Sequence, residues 1–261
     1  MNKKALNEGR IVDDRMGAIQ RLTMDNTDKK NAITREMYLA MACALNNAAS
    51  DPQVRTIWLR GAGGVFSSGN DLADFTKPEI EEPAPIQFVR ALVNFPKPIV
   101  AQVEGLAVGI GATMLLHCDL IYAAEDTRFR MPFVNLGVVP EAGSSYLLPR
   151  VMGSAKAAEL ILLGRTFSAL EADTLGMVSR VLPPAEVASA AESAAIALSK
   201  QPLGAVMKSR ALLRDVSGET LDARIEREFE IFYESLQGPE FAEAARAFAE
   251  KREPDYSKIT L

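Results

Sequence analysis

The sequence has very few of the residues on which most metal, redox and hydrolytic chemistries depend. Its 261 residues include two cysteines and one histidine. The two thiols, Cys43 and Cys118, define no disulfide framework, and no Cys-x-x-Cys pair indicates a zinc or redox site. The one histidine, His117, makes a catalytic zinc site unexpected, and a Ser-His-Asp hydrolase would need it as its base. We therefore expect no metal and no redox cofactor, and we interpret His117 as a hydrogen-bonded helix residue.

A large excess of one charge and a membrane segment are missing as well. The net charge is −5, with 24% of residues charged, so no basic face indicates a nucleic acid partner. The most apolar stretch, residues 99–124, contains Glu104, His117 and Asp119, which would be costly in lipid. No apolar run follows the N-terminal lysines, and the last three residues are not Ser-Lys-Leu. The expectation is a cytoplasmic protein without nucleic acid or membrane partners.

Nucleotide-binding glycine motifs are also missing. The runs Gly61-Ala62-Gly63 and Gly109-Ile110-Gly111 both lack the third glycine of Gly-x-Gly-x-x-Gly, and no phosphate-binding loop with Gly-Lys-Ser/Thr occurs. These two glycine turns must therefore serve another purpose.

Apolar patterning predicts an α/β fold with largely parallel strands. Strand-like and helix-like segments alternate in the first half of the chain. We predict strands at residues 10–24, 54–60, 99–103 and 120–123, and helices at 34–49 and 112–116.

The second half is predicted to be more helical. Ser168 and Glu171 resemble a capping box for a short helix that Gly176 closes. Longer helices are predicted at 185–199, 203–215, 219–236 and from Pro239 to Arg252. Residues 76–87, with three prolines, are predicted to form a loop that borders a site. We predict one domain with a core over 1–195 and a C-terminal helical region over 196–261, whose apolar faces suit packing on another subunit.

Each glycine turn follows a predicted strand. Residues 65–71 follow a Gly-Ala-Gly-Gly run, and Gly109 to Gly111 open a helix. Free backbone N–H groups at such turns can bind an oxygen anion, and two converging turns would form an oxyanion hole. The alternative is that the glycines only allow close packing.

One carboxylate stands near a further predicted helix start. Residues 138–145 read Val-Val-Pro-Glu-Ala-Gly-Ser-Ser, with Glu141 in or near the first turn. The residue could complement the helix dipole. It could instead be a general base in an apolar pocket, where burial would raise its pKa.

Taken together and in order, these motifs resemble the crotonase (enoyl-CoA hydratase/isomerase) superfamily over nearly the whole chain. Six blocks carry the resemblance. They are residues 30–33 (Lys-Asn-Ala-Ile), 66–72 (Phe-Ser-Ser-Gly-Asn-Asp-Leu), 97–101 (Lys-Pro-Ile-Val-Ala), 103–109 (Val-Glu-Gly-Leu-Ala-Val-Gly), 118–123 (Cys-Asp-Leu-Ile-Tyr-Ala) and 175–178 (Leu-Gly-Met-Val).

The resemblance implies a spiral core of ββα units with a helical C-terminal trimerisation region, assembled as a homotrimer or a pair of trimers. It implies that an acyl-CoA thioester is the substrate, with coenzyme A as part of it. The oxyanion donors would be the backbone amides of Asn70 and Ile110. The resemblance also suggests substrate contacts, which are the carbonyls of Ser68 and Asn70 for adenine, Lys30 and Lys251 for phosphates, and Phe248 along the same site.

Departures from the hydratase pattern narrow the implied reaction. Thr113 and Phe133 stand where hydratases carry two glutamates, and we place both among the substrate-binding residues. Glu141 stands where peroxisomal-type 3,2-trans-enoyl-CoA isomerases carry their catalytic base. The resemblance thus implies a 3,2-enoyl-CoA isomerase with Glu141 as base. A hydratase, another crotonase reaction on a CoA thioester and a non-catalytic CoA-binding protein remain alternatives.

Overall fold

The computed structural model describes residues 9–71, 73 and 82–259. The strands in this part of the chain are short, and several have only three residues. They are β1 (Arg10–Met16), β2 (Ile19–Asp25), β3 (Thr56–Gly61), β4 (Ile99–Val103), β5 (Leu106–Val108), β6 (Leu120–Ala124), β7 (Arg128–Arg130), β8 (Thr166–Ser168) and β9 (Arg180–Leu182).

The strands form two sheets. The larger has the order β1-β2-β3-β4-β6-β9, and the smaller has the order β5-β7-β8. Apart from the β1–β2 hairpin, every pairing in the larger sheet is parallel. All five residues of β4 are buried, as expected for a central parallel strand covered on both faces. The predicted α/β fold with parallel pairing is confirmed.

Helices occupy most of the remaining described chain. They are α1 (Arg35–Ser50), α2 (Ala84–Asn94), α3 (Ile110–Thr113), α4 (Ser144–Met152), α5 (Ser154–Leu163), α6 (Ala169–Thr174), α7 (Pro184–Lys200), α8 (Leu203–Arg214), α9 (Leu221–Leu236) and α10 (Pro239–Glu250). The helix predicted at 34–49 is confirmed as α1. Thr34 is its N-cap, because its Oγ1 accepts a hydrogen bond from the Met37 amide at 3.3 Å.

The larger sheet has helices on both faces. The main core joins α1 and α2 to one face, through residues such as Met41 and Phe88. On the other face, Ala191 and Ala195 of α7 pack against Trp58 and Val100. Small side chains on α7 let this helix approach the sheet closely.

Two predictions about local structure are wrong. The loop predicted at 76–87 ends earlier, because α2 begins at Ala84; residues 74–81 lie outside the described residues. Pro85 is compatible with this helix because amides in a first turn have no helical acceptor. The capping box at α6 is only half formed. Ser168 Oγ accepts from the Glu171 amide at 3.1 Å, but the Glu171 carboxylate pairs with Arg165 instead.

The predicted helix at 112–116 is also divided differently. It is the short α3, followed by a 3₁₀ turn over Met114–His117. The apolar stretch 99–124 is therefore broken into strands and short helical turns. Within the described ranges, no helix has the length and apolarity needed to cross a membrane.

The C-terminal helices attach to the core at a few polar points. Arg210 of α8 donates to both carboxylate oxygens of Asp119 at 2.8 Å and to the Phe95 carbonyl at 2.5 Å. The predicted boundary at 195 falls inside α7, and the division into core and helical region stays a prediction. None of the residues of α9 is buried.

Candidate active site

The first glycine turn is fixed by Asn31, which is fully buried. Asn31 has a left-handed backbone with φ of 56°. Its side-chain amide donates to the carbonyls of Ala62, at 2.9 Å, and Val65, and its Oδ1 accepts from the Asn26 amide at 2.9 Å. The motif over residues 30–33 is thereby tied to the turn that follows β3.

The same motif holds the backbone around Asn70. The Ile33 amide donates to the Gly69 carbonyl at 2.8 Å, and the Asp71 amide donates to the Ile33 carbonyl at 2.9 Å. Ser67 Oγ donates to the Asn31 carbonyl at 2.9 Å and accepts from the Gly69 amide at 3.1 Å. Among the described residues, the Asn70 amide has no acceptor. It is a free donor on a fixed backbone.

The second glycine turn presents another free amide. Gly109 has φ of 56° and ψ of −123°, a conformation that favours glycine. Its amide donates to the Arg130 carbonyl at 2.9 Å, and its carbonyl accepts from the amides of Ala112 and Thr113. Ile110 is the first residue of α3, and its amide has no acceptor in the part of the chain that the structure describes. The Ile110 side chain is buried in the main core, so it has the room that this position requires.

The two turns lie directly against each other. The Ser67 amide donates to the Leu106 carbonyl at 2.9 Å, and the Val108 amide donates to the Ser67 carbonyl at 3.0 Å. A Cβ atom on Gly69 would lie 2.7 Å from the Val108 carbonyl oxygen, and one on Gly111 would lie 2.9 Å from the Ser67 carbonyl oxygen. Glycine is therefore required at both contacts, and the turns converge.

Glu141 lies three residues before the helix in or near whose first turn the sequence placed it. The helix α4 begins at Ser144, and Ala142 and Gly143 between them have left-handed φ values of 51° and 69°. These conformations cannot continue a right-handed helix. The Glu141 side chain therefore does not act on the dipole of a first helical turn.

The Glu141 carboxylate is half-buried, and its Oε1 accepts a hydrogen bond from Thr113 Oγ1. Thr113 is three residues after Ile110, so the carboxylate is linked to the helix that starts at the second turn. Burial raises the pKa of Glu141 to about 7, and the hydrogen bond from Thr113 opposes that rise. A carboxylate with such a pKa is suited to accept and return a proton near neutral pH.

The backbone on either side of Glu141 is anchored. The Glu141 carbonyl accepts from the Ser144 amide at 3.0 Å and from Ser144 Oγ at 2.6 Å. The next carbonyl, of Ala142, accepts from His117 Nε2 at 2.8 Å. Burial lowers the pKa of His117, so the ring is neutral at neutral pH. Its interpretation as a hydrogen-bonded residue is confirmed, and its link to the segment that carries Glu141 was not foreseen.

Tyr38 is a site residue that the sequence did not reveal. Its hydroxyl donates to Asn70 Oδ1, and its ring packs on Phe88 with centroids 5.6 Å apart. Burial, and secondarily the charge of Glu141, holds the pKa of Tyr38 well above its ordinary value. The only available signal was its place on α1 beside the core residues Met37 and Met41, which indicates burial and not a polar contact.

Three of the other predicted substrate contacts precede α4 in the chain, and two lie at the end of α10. Thr113 and Phe133 are buried, and Lys30 is exposed beside the first turn, its carbonyl accepting from the Ser68 amide at 2.9 Å. The carbonyls of Ser68 and Asn70 have no donor among the described residues.

Phe248 and Lys251 are not brought to the turns. Phe248 lies on α10 and is 88% exposed, and Lys251 follows it as the exposed C-cap residue. Within the described residues, no hydrogen bond, ion pair or ring contact joins either side chain to the glycine turns or to Glu141. Their role in binding CoA stays a prediction.

The described residues contain no cluster of three or more histidine, cysteine, aspartate or glutamate side chains that could hold a metal ion. The chemistry that the geometry offers is proton transfer by one carboxylate beside two free backbone amides.

Sequence comparison relates the chain to acyl-CoA enzymes. Rat enoyl-CoA delta isomerase 2 is 41% identical over 220 residues, which cover 81% of this chain. The match spans 56% of the rat protein's length. Mouse peroxisomal enoyl-CoA delta isomerase 3 is 35% identical, with 88% of this chain and 75% of that protein covered.

A solved structure shows the same relationship as these two sequences. The putative enoyl-CoA hydratase/carnithine racemase of Magnetospirillum magneticum AMB-1 superimposes with a TM-score of 0.91 at 40% identity, covering 95% of this chain and 98% of that one. Residues 14–258 match the family described as enoyl-CoA hydratase/isomerase. With its crotonase fold and its two converging glycine turns, the chain belongs to the enoyl-CoA hydratase/isomerase family of the crotonase superfamily.

Proposed function

We propose that the protein is a 3,2-enoyl-CoA isomerase of the fatty-acid oxidation type, which moves the double bond of a 3-enoyl-CoA into conjugation with the thioester. The observation that carries this proposal is the environment of Glu141. It is a half-buried carboxylate with a pKa of about 7, held by Thr113 near the two free amides. Thr113 and Phe133 supply no second carboxylate at the positions where hydratases carry their glutamates.

The reaction needs one base and no other reactant. Glu141 removes a proton from C2, and the electron pair of that C–H bond spreads over the thioester carbonyl and the C3–C4 double bond, giving a dienolate. Protonated Glu141 then delivers the proton to C4, which leaves the double bond between C2 and C3. Because the same proton leaves and returns, the carboxylate ends the cycle ionised as it began.

The two glycine turns stabilise the dienolate. Negative charge develops on the thioester oxygen, and the amides of Asn70 and Ile110 donate hydrogen bonds to it. Loss of one such donor typically reduces the rate by ~10²–10³. No resident cofactor takes part, because coenzyme A enters as part of the substrate.

The proton that moves from C2 to C4 is assigned to one oxygen of the Glu141 carboxylate. Thr113 Oγ1 donates to Oε1, so Oε2 is the oxygen left to take the proton from C2 and return it at C4. The Thr113 hydroxyl also favours the ionised form before each cycle.

Coenzyme A is proposed to lie across the first turn. The free carbonyls of Ser68 and Asn70 would accept hydrogen bonds from the adenine amino group, and Lys30 is exposed next to them. Phe248 and Lys251 would complete this site if the exposed end of α10 reaches the turn of a neighbouring subunit.

The proposed assembly is a homotrimer or a pair of trimers formed through the C-terminal helices. Large apolar side chains on α9 and α10 remain exposed in the single chain, which is typical of an association surface. The cytoplasmic location also stays a proposal, and the mouse relative's name places that protein in the peroxisome.

A hydratase is the second candidate, because the family and the Magnetospirillum protein both carry that name. Glu141 alone could activate water, but water addition also requires an acid at C2, and the described site offers no second carboxylate for it. A non-catalytic CoA-binding role is not favoured, since the turns converge and Glu141 is half-buried.

The test is to measure isomerisation of a 3-enoyl-CoA and hydration of a 2-enoyl-CoA in parallel. We expect isomerisation to dominate and Glu141→Gln to reduce it by ~10²–10⁴, as for removal of a general base. Glu104→Gln is a matched control, because this half-buried carboxylate bonds to Gln102 Nε2 at 2.6 Å and should keep wild-type turnover. Dominant hydration, or an active Glu141→Gln variant, would contradict the proposal.

A further inference from the structure

We propose that Tyr38 is a positioning residue for the oxyanion donor at Asn70, acting through the Asn70 side chain. This inference rests on the proposed use of the Asn70 amide to stabilise the thioester oxygen. It concerns a residue of α1, 32 positions before the donor in sequence.

The donor belongs to the peptide unit between Gly69 and Asn70. A peptide unit is planar, so its carbonyl and its N–H move together. The Gly69 carbonyl is held by the Ile33 amide at 2.8 Å, which fixes one end of the plane. The φ of Gly69 is 92°, a region that glycine reaches easily, so this residue alone does not restrict rotation of the plane.

The Asp71 amide, which donates to the Ile33 carbonyl at 2.9 Å, holds the backbone after Asn70, and a further restraint comes from the Asn70 side chain. Its Oδ1 accepts the hydrogen bond from Tyr38 Oη, and among the described residues this is the hydrogen bond that the Asn70 side chain makes. Rotation about φ or ψ of Gly69 would move the Asn70 Cα and break that bond. The Tyr38 hydroxyl therefore opposes movement of the Asn70 amide away from the substrate oxygen.

Tyr38 itself is rigid. It is 2% exposed, its ring packs on Phe88, and its helix α1 is anchored in the main core. A donor on such a support keeps its position during the reaction, which is the condition for electrostatic stabilisation without reorganisation. Misplacement of a catalytic group by about 1 Å can cost on the order of 10²-fold in rate.

The substitution Tyr38→Phe removes the hydroxyl and keeps the ring against Phe88. We expect kcat for isomerisation to fall roughly 10- to 100-fold while KM stays within about twofold, because the donor acts mainly in the transition state. Tyr146→Phe is the matched control. It loses a hydroxyl hydrogen bond of 3.1 Å to the Val216 carbonyl and should keep the wild-type kcat.

A spectroscopic measurement tests the inference without turnover. Hexanoyl-CoA labelled with ¹³C at its thioester carbonyl cannot isomerise, and hydrogen bonds to its oxygen lower the carbonyl stretching frequency. When this ligand is bound, Tyr38→Phe should shift the band back towards its frequency in free hexanoyl-CoA. Glu141→Gln should leave the band near its wild-type position. The carbonyl frequency reports on the position of the Asn70 donor even if isomerisation is not the reaction.

The double variant Tyr38→Phe/Asn70→Ala separates positioning from a general loss of packing. If Tyr38 acts through the Asn70 side chain, its substitution adds nothing to kcat or to the carbonyl frequency once that side chain is absent. Additive effects, or a Tyr38→Phe variant with wild-type kcat and carbonyl frequency, would overturn the inference. A wild-type enzyme without isomerase activity but with the Tyr38-dependent band shift would overturn the proposed reaction and leave the inference standing.

Discussion

The residues around the glycine turns and those of the two C-terminal helices differ in the kind of side chain that they bury and the kind that they expose. Around the turns, several polar side chains are buried and paired. Asn31 and Thr113 are fully buried, and each hydrogen-bonds within the chain. On α9 and α10, large aromatic side chains point into solvent in the single chain. They are Phe229, Phe232, Tyr233, Phe241 and Phe248, with exposures of 48% to 88%.

This difference separates the site, which one chain completes, from the apolar helix faces, which one chain leaves exposed. Both proposed oxyanion donors, the proposed base and their hydrogen-bonded supports lie between β2 and the first residue of α4 of one chain. The large aromatic side chains of α9 and α10 stay exposed even where they contact one another, as Phe229 and Phe232 do with Tyr233, and this exposure is costly in water. The chemistry is therefore attributed to the core, and association is attributed to the C-terminal helices.

The largest expected effect is on assembly. Phe229→Asp combined with Phe232→Asp places two charges on the apolar face of α9, where each buried phenylalanine would contribute about 1.5–3 kcal/mol. By sedimentation velocity, we expect a trimeric or hexameric wild type and a monomeric double variant. Leu162→Asp is the control, since Leu162 is 62% exposed on α5 and should leave the assembly intact. A monomeric wild type would show that the exposed apolar faces of α9 and α10 do not mediate association.

The next effect is on the pH dependence of catalysis. Thr113→Val removes the donor that stabilises the Glu141 carboxylate, so the pKa of Glu141 should rise above about 7. A hydrogen bond to a charged group contributes about 1.5–3 kcal/mol, which corresponds to ~1–2 pH units. The acidic limb of kcat/KM should move to higher pH by that amount, with a loss of ~10- to 100-fold at about pH 6.

Thr127→Val provides the control for this shift. Thr127 is equally buried, and its hydroxyl bonds to the Val103 carbonyl at 3.2 Å. This variant should show the wild-type pH profile. If Thr113→Val leaves the acidic limb in place or moves it to lower pH, the Thr113 hydroxyl does not stabilise the ionised form of Glu141.

The smallest effect is on stability, and it comes from His117. His117→Ala leaves the Ala142 carbonyl without its donor, which should cost ~1–3 kcal/mol in the free energy of unfolding by urea. His117→Gln can still donate and should restore part of it. An unchanged stability in His117→Ala would show that the segment carrying Glu141 is held by Ser144 alone.

The same residue predicts how stability varies with pH. Burial, with the charges of Arg214 and Arg210 on α8 adding to it, lowers the pKa of His117 in the folded protein. The unfolded chain therefore binds the proton first, and stability is lost as pH falls below the ordinary histidine value of about 6.5. His117→Gln should lack this component of the pH dependence.

Much of the fold was predictable because its elements are long or uniformly apolar. The strand at 99–103 and the helices near 34–49 and 185–199 agree closely with β4, α1 and α7. The strands β5, β7, β8 and β9 have three residues each, too few to show an alternating pattern. The helix α2 was hidden by prolines that indicate a loop locally but are tolerated at a helix start.

The site was predictable only where a motif marks it. Glu141, Asn70 and Ile110 were assigned through resemblance, and Glu141 was placed in or near the first turn of a predicted helix. The left-handed Ala142 and Gly143 delay the start of that helix to Ser144, and the His117 hydrogen bond to the Ala142 carbonyl spans 25 positions of the sequence. Tyr38 carried no signal because its partner lies 32 residues away, and such contacts are set by the packing of α1 and not by local sequence.

The most direct test of the central claim, that Glu141 alone carries one proton from C2 to C4, follows the proton itself. A 3-enoyl-CoA deuterated at C2 should be converted by the wild type, and the product examined by NMR. The account predicts a 2-enoyl-CoA with part of the deuterium at C4, no 3-hydroxyacyl-CoA, and loss of deuterium from C2 that is ~10²–10⁴ slower with Glu141→Gln than with the wild type. A 3-hydroxyacyl product, or removal of the C2 deuterium by Glu141→Gln at the wild-type rate, would contradict it.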